Sequence, residues 1–350
     1  MKTILLLFLF TSSTIFGQKL KKADKAIIDN LRATITYLAS DQLEGRRTGT
    51  PGEKLAYEYL SDNFNKIGLT PKGDSNSYLQ AFEVNEGKQI LSQTYVSINE
   101  NQLEEGKDFF PFIFSGNGSV TAFASPALKE SNAPWFFDVK ELMENNSANP
   151  HFNLQDAIRN KAIENSKKGA TALIVYNSGD VNDDLSFDGK SKIETIKIPV
   201  IYINKNAAKK YLGEKTNDLD LKIIVAIGDK KRSGHNVIGF LDNGAKNTIV
   251  IGAHFDHLGY GEDHNSLWAG KPEIHNGADD NASGTPTVLE LAKLLKASKL
   301  KNNNYLFICF SGEELGLFGS KHFTEDPTIP LENINYMINC DMVGRLNDST

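Results

Sequence analysis

The feature that most constrains the fold is a series of apolar runs in the last third of the chain, separated by segments of helical periodicity. The runs occupy residues 236–241, 247–253, 304–310 and 334–340, and the helical patterns lie at 283–295 and 315–323. A strand that is apolar along its whole length is covered on both faces of its sheet. Strands of this kind that alternate with helices predict an α/β fold, with a mostly parallel central sheet covered by helices on both faces.

Four short segments of the same region place His, Asp or Glu directly after an apolar run or inside a glycine-rich turn. They are AHFDH at 253–257, GADDN at 277–281, SGEE at 311–314 and NCD at 339–341. Ligands of open α/β sheets bind beyond the carboxyl ends of the strands. Because histidine and carboxylates are ligands that zinc prefers, the four segments together predict a metal site at this edge of the sheet.

Neighbouring side chains in the first two segments are suited to different tasks. His254 can bind a metal ion while Asp256 holds the other ring nitrogen and fixes the tautomer. An N-cap role would explain one of the two acids at 279–280, but it does not explain two adjacent acids beside glycine. A carboxylate at Asp280 that bridges two cations offers that explanation, because it neutralises charge between the cations.

The last two segments add further acids at predicted strand ends. Adjacent carboxylates such as Glu313 and Glu314 are costly at a covered strand end unless they are paired or coordinated. One of them can bind metal while the other accepts a proton from water. Asp341 follows the last apolar run and adds another oxygen ligand.

The core resembles metallopeptidase family 28, the zinc aminopeptidases related to bacterial leucyl aminopeptidases and glutamate carboxypeptidase. The segments AHFDHLG, NGADDNASG, FSGEELGLFGS and NCDMVGR carry this resemblance, and YLASDQLEGRRTGTP at 37–51 is similar to the N-terminal segment of the family. Residues 100–222 resemble an inserted small α/β protease-associated domain, through their position and the ATALIVYN and IPVIYI runs.

The resemblance implies a metallo-exopeptidase that uses two zinc ions to hydrolyse the peptide bond next to a free N-terminus. The positions that it implies are His254, Asp280, Glu314 and Asp341 as metal ligands, Asp280 as the bridge, Glu313 as general base, Asp256 as the partner of His254, and a cis peptide between Asp280 and Asn281. The family has a fifth ligand, a histidine further along the chain, which this sequence lacks. The sequence is therefore expected to be a truncated form that lacks the last part of the sheet.

Residues 1–17 have the pattern of a signal peptide, with a basic start, an apolar run at 4–10 and a small-residue stretch before Gln18. A buried N-terminal helix is the alternative. Because no cysteine follows the predicted cut, a lipid anchor is not expected, and the predicted location is secreted or periplasmic. After the signal pattern, residues 18–99 and 223–350 are predicted to form the peptidase domain, with the insert between them. The alternative is that all these residues form one continuous large domain.

Charge and hydropathy exclude some classes of binding partner for this chain. The net charge is −6 without a basic face, which argues against a nucleic-acid partner, whereas the peptide substrate is what the resemblance implies. No run after the signal pattern is apolar for the roughly 18 residues that a membrane span needs. Three alternatives stay open, namely a glutaminyl cyclase-like enzyme, a carboxypeptidase-like zinc enzyme of the same fold, and a non-catalytic binding protein. The sequence does not indicate an oligomeric state.

Two smaller expectations concern individual residues. The polar loop at 40–49 is either catalytic or a connector with Arg46 and Arg47 in solvent, and its composition favours the connector. Cys309 and Cys340 lie in apolar runs and are expected to be buried thiols rather than a disulfide.

Overall fold

The computed structural model describes residues 21–213 and 218–345 of the chain. They divide into two compact units, the first made of the described residues up to 84 and from 233 onwards, and the second of those between 85 and 232. The predicted signal peptide lies outside the described residues. Within the described ranges, no helix combines the length and the apolar character that crossing a membrane requires.

The described residues form the following helices and strands. The α-helices are α1 Lys22–Leu38, α2 Pro51–Ile67, α3 Lys140–Asn146, α4 Leu154–Lys167, α5 Lys205–Tyr211, α6 Gly284–Ala297 and α7 Phe318–Glu325. The strands are β1 Thr70–Pro71, β2 Leu79–Ile90, β3 Tyr95–Ile98, β4 Asn101–Gln102, β5 Phe109–Pro111, β6 Gly118–Ala124, β7 Ala133–Asp138, β8 Ala170–Tyr176, β9 Val200–Ile203, β10 Leu219–Val225, β11 Ile227–Leu241, β12 Thr248–His254, β13 Asn304–Phe310 and β14 Ile334–Asn339. Short 3-10 turns lie at Asp41–Arg46, Asp74–Asn76 and Leu331–Asn333.

The sheet of the first unit has the strand order β1-β11-β13-β12-β14, and β2 also pairs with β11. Strand β12 lies parallel to both β13 and β14, whereas β11 runs antiparallel to β13 and to β1. The predicted α/β class is confirmed, and the three parallel strands are those followed by acidic or histidine residues. The apolar run of β11 did not indicate its antiparallel direction, because burial on both faces is compatible with either direction.

Alternate residues of β13 enter apolar clusters on opposite faces of this sheet. Tyr305, Phe307 and Cys309 pack with helices on one face, where the buried helical residues are Leu38, Ala56, Leu60, Phe64, Val288, Leu289 and Ala292. Leu306, Ile308 and Phe310 join Phe323 of α7 on the other face. Both cysteines of the chain are free and buried, as predicted. Strand β14 differs from its neighbours, because Tyr336, Met337 and Ile338 are about half exposed.

Helix α2 has a recognisable signal in the sequence at each of its ends. The hydroxyl of Thr50 accepts a hydrogen bond from the backbone amide of Glu53, and Pro51 occupies the first turn. Gly68 ends the helix in the left-handed conformation with φ of 76°. The Glu53 side chain does not return the reciprocal bond of a capping box. Its carboxylate instead accepts a hydrogen bond from the backbone amide of Gly49 at 2.8 Å.

The second unit contains two four-stranded sheets. The first has the order β4-β3-β10-β6 and is antiparallel throughout. The second has the order β5-β9-β8-β7, in which β7, β8 and β9 are parallel and β5 is antiparallel. Strands β8 and β9 carry the ATALIVYN and IPVIYI runs. The unit extends beyond the predicted insert, residues 100–222, at both ends, and its assignment as a protease-associated domain stays a prediction.

Candidate metal centre

The parallel strands of the first unit bring three of the four polar segments to one edge of the sheet. His254 ends β12 and lies opposite Phe310, the last residue of β13. Gly252 of β12 lies opposite Asn339, the last residue of β14. The fourth segment is the turn before α6, and the side chain of Asn281 in that turn donates to the backbone oxygen of Cys340 at 2.9 Å. Strand register and this turn together place the four segments side by side.

A first group of possible ligands contains His254, Asp280 and Asp341. The Nε2 atom of His254 lies 3.1 Å from Oδ1 of Asp280 and 3.6 Å from Oδ1 of Asp341. The same nitrogen lies 3.9 Å from Oε2 of Glu313. The imidazole is almost fully buried, whereas each of the three carboxylate side chains is between 34% and 40% exposed. A cation between these atoms is thus in reach of small molecules from solvent.

A second group contains His257, Asp280 and Glu314. The Nδ1 atom of His257 lies 2.6 Å from Oε1 of Glu314. Asp280 belongs to both groups, which is the arrangement expected of a bridging carboxylate. Sequence reasoning did not single out His257, although it stands in the AHFDH segment. Its side-chain direction depends on the loop that follows β12, and the apolar pattern of a strand carries no information about that loop.

Three buried atoms of these groups make no hydrogen bond of acceptable geometry among the described residues, although each lies close to another candidate ligand atom. They are Nε2 of His254, Nδ1 of His257 and Oε1 of Glu314. A buried polar atom without a partner is costly, and a coordinated cation removes that cost. Imidazole nitrogens and carboxylate oxygens are also the donors that zinc prefers. The residues present therefore fit a zinc centre. The peptide bond between Asp280 and Asn281 is cis, as the resemblance implied.

Asp256 is fully buried and connects the end of β12 to the turn after β13. Its Oδ1 accepts from the backbone amide of Glu313 at 3.2 Å, and its Oδ2 accepts from that of Glu314 at 3.4 Å. The Thr48 hydroxyl donates to the same Oδ2 at 3.1 Å. Nδ1 of His254 lies 3.2 Å from the Asp256 backbone oxygen and 3.6 Å from its carboxylate. Asp256 is thus placed to orient His254 and to hold the turn that carries both glutamates.

The expectation that the loop at 40–49 is a solvated connector is wrong. Arg46 is fully buried, and the Thr48 side chain contacts Asp256 as described above. The loop at 40–49 packs closely against the backbone of Gly259 and His275, and this requires glycine at position 45. A Cβ atom on Gly45 would lie 2.6 Å from the backbone oxygen of His275 and 2.7 Å from that of Gly259. Composition alone favoured solvent because arginine is rarely buried. The guanidinium of Arg46 is held mainly by backbone oxygens of Phe255, Asn276 and Gly277, which are far away in the chain.

Glu53 is a buried carboxylate that joins the start of α2 to the sheet. Its Oε1 accepts from the backbone amide of His235 at 3.0 Å and from the Ser311 hydroxyl at 2.6 Å, while its Oε2 accepts from the backbone amide of Gly49. Glu53→Ala leaves these donors without an acceptor, so we expect it to lower the free energy of unfolding by about 1–3 kcal/mol. Urea unfolding measures this change.

The matched control for this variant is Glu58→Ala on the same helix. Glu58 is exposed and lies 3.8 Å from Lys54, an ion pair of the kind that contributes about 0.3–0.5 kcal/mol. The control is expected to unfold close to the parent protein. An equal loss of stability in both variants would contradict the assignment of Glu53 to this network.

Comparison with known proteins connects this geometry to a family. Residues 236–350 match the model of Peptidase family M28. An aminopeptidase of Pseudomonas aeruginosa (strain UCBPP-PA14) is 28% identical over 313 residues, which cover 86% of this chain and 54% of that protein. Aminopeptidase YwaD of Bacillus subtilis (strain 168) is 29% identical over 194 residues, which cover 53% of this chain and 36% of that protein. The chain spans about half the length of the Pseudomonas relative.

Among solved structures, the aminopeptidase from Aneurinibacillus sp. strain AM-1 is 25% identical, with a TM-score of 0.41 and coverage of 90% of this chain and 70% of that chain. The residues matched by the family model contain β12, β13, β14 and α6, together with both groups of possible ligands. The segment that matches Peptidase family M28 therefore contains the whole candidate metal centre.

Proposed function

We propose that the protein is an exported zinc aminopeptidase with two metal ions in its active site. The observation that carries this proposal is the pair of imidazole–carboxylate groups that share Asp280 at the carboxyl ends of the parallel strands. The match of residues 236–350 to the family model and the relatives named as aminopeptidases support the choice of substrate, a peptide with a free N-terminus.

Two sets of side chains would hold the metal ions. His254, Asp280 and Asp341 would hold one, and Asp280, Glu314 and His257 would hold the other. When bound, zinc lowers the pKa of water and polarises a carbonyl group as a Lewis acid. The chain supplies the geometry, since each donor stands at a strand end or in a turn that is hydrogen-bonded to its neighbours.

Glu313 is the residue we assign as general base. It lies beside the first group, 3.9 Å from Nε2 of His254, and about a third of its side chain is exposed, so it can reach water. Burial raises the pKa of its carboxyl group, and the nearby Asp256, Glu314 and Asp341 act in the same direction, whereas His254 lowers it. A raised pKa makes a carboxylate a better proton acceptor. The carboxylate takes a proton from the attacking water and passes it to the leaving amine.

The test of the proposed function is hydrolysis of aminoacyl-4-nitroanilides by the purified full chain. We expect activity that EDTA abolishes and that added zinc restores, with a zinc content of two ions per chain, one for each group. Release of C-terminal residues from N-acetylated peptides, without hydrolysis of the aminoacyl-4-nitroanilides, would contradict the aminopeptidase assignment and favour the carboxypeptidase-like alternative. A content of one ion per chain with cyclisation of N-terminal glutamine would favour the cyclase.

We further propose that residues 1–17 direct export and that residues 100–222 belong to a protease-associated domain. The composition of the N-terminal residues supports the first proposal. The second is supported by a compact second unit that contains these residues and has its own apolar clusters. N-terminal sequencing of exported protein tests the cut before Gln18, and a start at Met1 would contradict it.

A further inference from the structure

Arg46 is a buried cation whose hydrogen bonds all end on backbone oxygens. Within the described residues its guanidinium donates to Phe255 at 2.6 Å, Leu38 at 2.5 Å, Asn276 at 2.7 Å and Gly277 at 3.0 Å. Its side chain is fully buried. A buried arginine normally pairs with a carboxylate, because an unpaired charge is expensive to remove from water. Its carbonyl partners therefore indicate that Arg46 stabilises the positions of the backbone segments to which it is hydrogen-bonded.

The four oxygens belong to three segments that meet beside the candidate metal centre. Leu38 is the last residue of α1, and Phe255 follows the last residue of β12. Asn276 and Gly277 begin the turn that carries Asp280. The planar guanidinium has donors in fixed directions, so it can hold all three segments at once. It thereby ties the Asp280 turn to the strand that ends in His254.

A second set of hydrogen bonds fixes the same turn from its other side. The side-chain amide of Asn276 donates to the backbone oxygen of Ala39 and to Oδ1 of Asp41, both at 2.7 Å. These bonds join the turn to the segment between α1 and Arg46. The segment from Leu38 to Arg46 is therefore hydrogen-bonded to the start of the Asp280 turn through two side chains, the buried Arg46 and the partly exposed Asn276.

The positive charge of Arg46 lies within the electrostatic reach of the candidate ligands. Burial lowers the pKa of its guanidinium to about 10, while Asp256, Asp280 and Glu314 oppose this change. The guanidinium therefore stays charged at neutral pH. A fixed cation behind these carboxylates reduces their mutual repulsion, which favours their close approach before any metal is bound.

We propose that Arg46 is a positioning residue that holds the Asp280 turn against the end of β12, so that the bridging carboxylate is preorganised between His254 and His257. The inference rests on the proposed metal centre and deepens it. Arg46 contacts neither substrate nor metal, and its effect reaches them only through the backbone of the turn.

The test compares Arg46→Lys with the parent protein in zinc affinity and in kinetics. Lysine keeps the charge, but its compact ammonium cannot reach four oxygens in three segments. We expect zinc affinity, measured by competition with a chromogenic chelator, to fall by roughly 10–100-fold, the range found when groups that orient ligands are removed. We expect kcat to fall with it at saturating zinc, while KM changes by less than about threefold because the substrate does not contact Arg46. The absorption spectrum of the cobalt-substituted protein should also shift, because the bridging ligand moves.

The matched control is Leu60→Ala, a change in the apolar core on α2. It lowers stability without touching the Asp280 turn, so its folded fraction should keep the zinc affinity and the cobalt spectrum of the parent. Parent-like zinc affinity and spectrum in Arg46→Lys would overturn the proposal. An equal change in the Leu60→Ala control would also overturn it, since the effect would then be general destabilisation.

A second variant covers the case in which Arg46→Lys does not fold. Asn276→Ala removes the other bonds that fix the turn, and the residue is partly exposed. We expect it to lower zinc affinity in the same direction, by roughly tenfold. If Asn276→Ala binds zinc as tightly as the parent protein, the turn needs no such support and the proposal fails.

These measurements separate the inference from the proposed function. A parent protein that binds zinc but hydrolyses no peptide would remove the aminopeptidase assignment. The zinc affinities and cobalt spectra of the variants would still decide the role of Arg46.

Discussion

Glu313→Gln is expected to lower kcat by about 10²–10⁴-fold while the protein still binds zinc. Glutamine keeps the size of the side chain and removes its capacity to accept a proton. Glu313 belongs to neither group of possible ligands, so the metal content should not change. Steady-state kinetics on an aminoacyl-4-nitroanilide and zinc analysis of the same sample measure the two effects.

The pH dependence of the parent protein provides a second measurement for the same assignment. Burial raises the pKa of Glu313 above the ordinary value for a carboxyl group. A general base works only when deprotonated, so kcat should fall as pH is lowered through that pKa. The residual activity of Glu313→Gln should lack this acidic limb.

Glu325→Gln on α7 is the control, because its exposed carboxylate is outside both ligand groups. It should have the kinetics of the parent. Turnover of Glu313→Gln within a few-fold of the parent value would reject Glu313 as the base. A loss of zinc in that variant would instead assign Glu313 to the metal.

Asp280→Asn should abolish both metal sites, because Asp280 is the one residue common to the two groups. Asparagine removes the negative charge that a bridge between two cations requires. We expect zinc affinity to fall by more than the roughly 100-fold that marks the loss of an orienting residue. Hydrolysis should fall below detection at zinc concentrations that saturate the parent protein. Equilibrium dialysis followed by metal analysis measures the change.

The neighbouring acid provides the control for this variant. Asp279 accepts from the backbone amide of Gly344 at 2.9 Å and belongs to neither group. Asp279→Asn should retain its zinc. If Asp280→Asn retains two zinc ions per chain, the bridging role is wrong. If it loses one and keeps one, Asp280 is a ligand of a single ion.

The metal-free centre also predicts how zinc affinity depends on pH. Burial lowers the pKa of His254, but its interactions with Asp256 and Asp280 outweigh burial and raise the pKa above its ordinary value. A histidine must lose its ring proton to bind zinc, so protons and zinc compete for the His254 ring. Apparent zinc affinity should accordingly fall as pH is lowered, which is the usual direction for a histidine ligand.

The elements that carry the centre were predictable because their patterns are local. Strands β12 and β13 differ from the predicted apolar runs by at most one residue at either end. Helix α6 begins one residue after the predicted start. Unbroken apolar runs with polar residues at their ends indicate covered strands, and the carboxyl ends of parallel strands share an edge. His254, Glu314 and Asp341 could therefore be placed near one another from the sequence.

Arg46 and His257 required the tertiary structure. The partners of Arg46 include backbone oxygens about 210–230 positions away in the chain, and a backbone oxygen has no signature in the sequence. Composition placed this arginine in solvent, whereas the structure buries it. His257 was visible as a residue, but the loop beyond β12 decides that its ring faces Glu314.

The sequence by itself determined the α/β class of the first unit, the strands and helices of its centre, and the set of acids and histidine at the strand ends. It could do so because hydrophobic periodicity and residue chemistry act over short stretches of chain. Only the tertiary structure decided which side chains share a group, how β11 is directed, and that the segment at 40–49 supports the centre. These features depend on hydrogen bonds between segments far apart in the chain, and the backbone atoms that form them are the same at every residue.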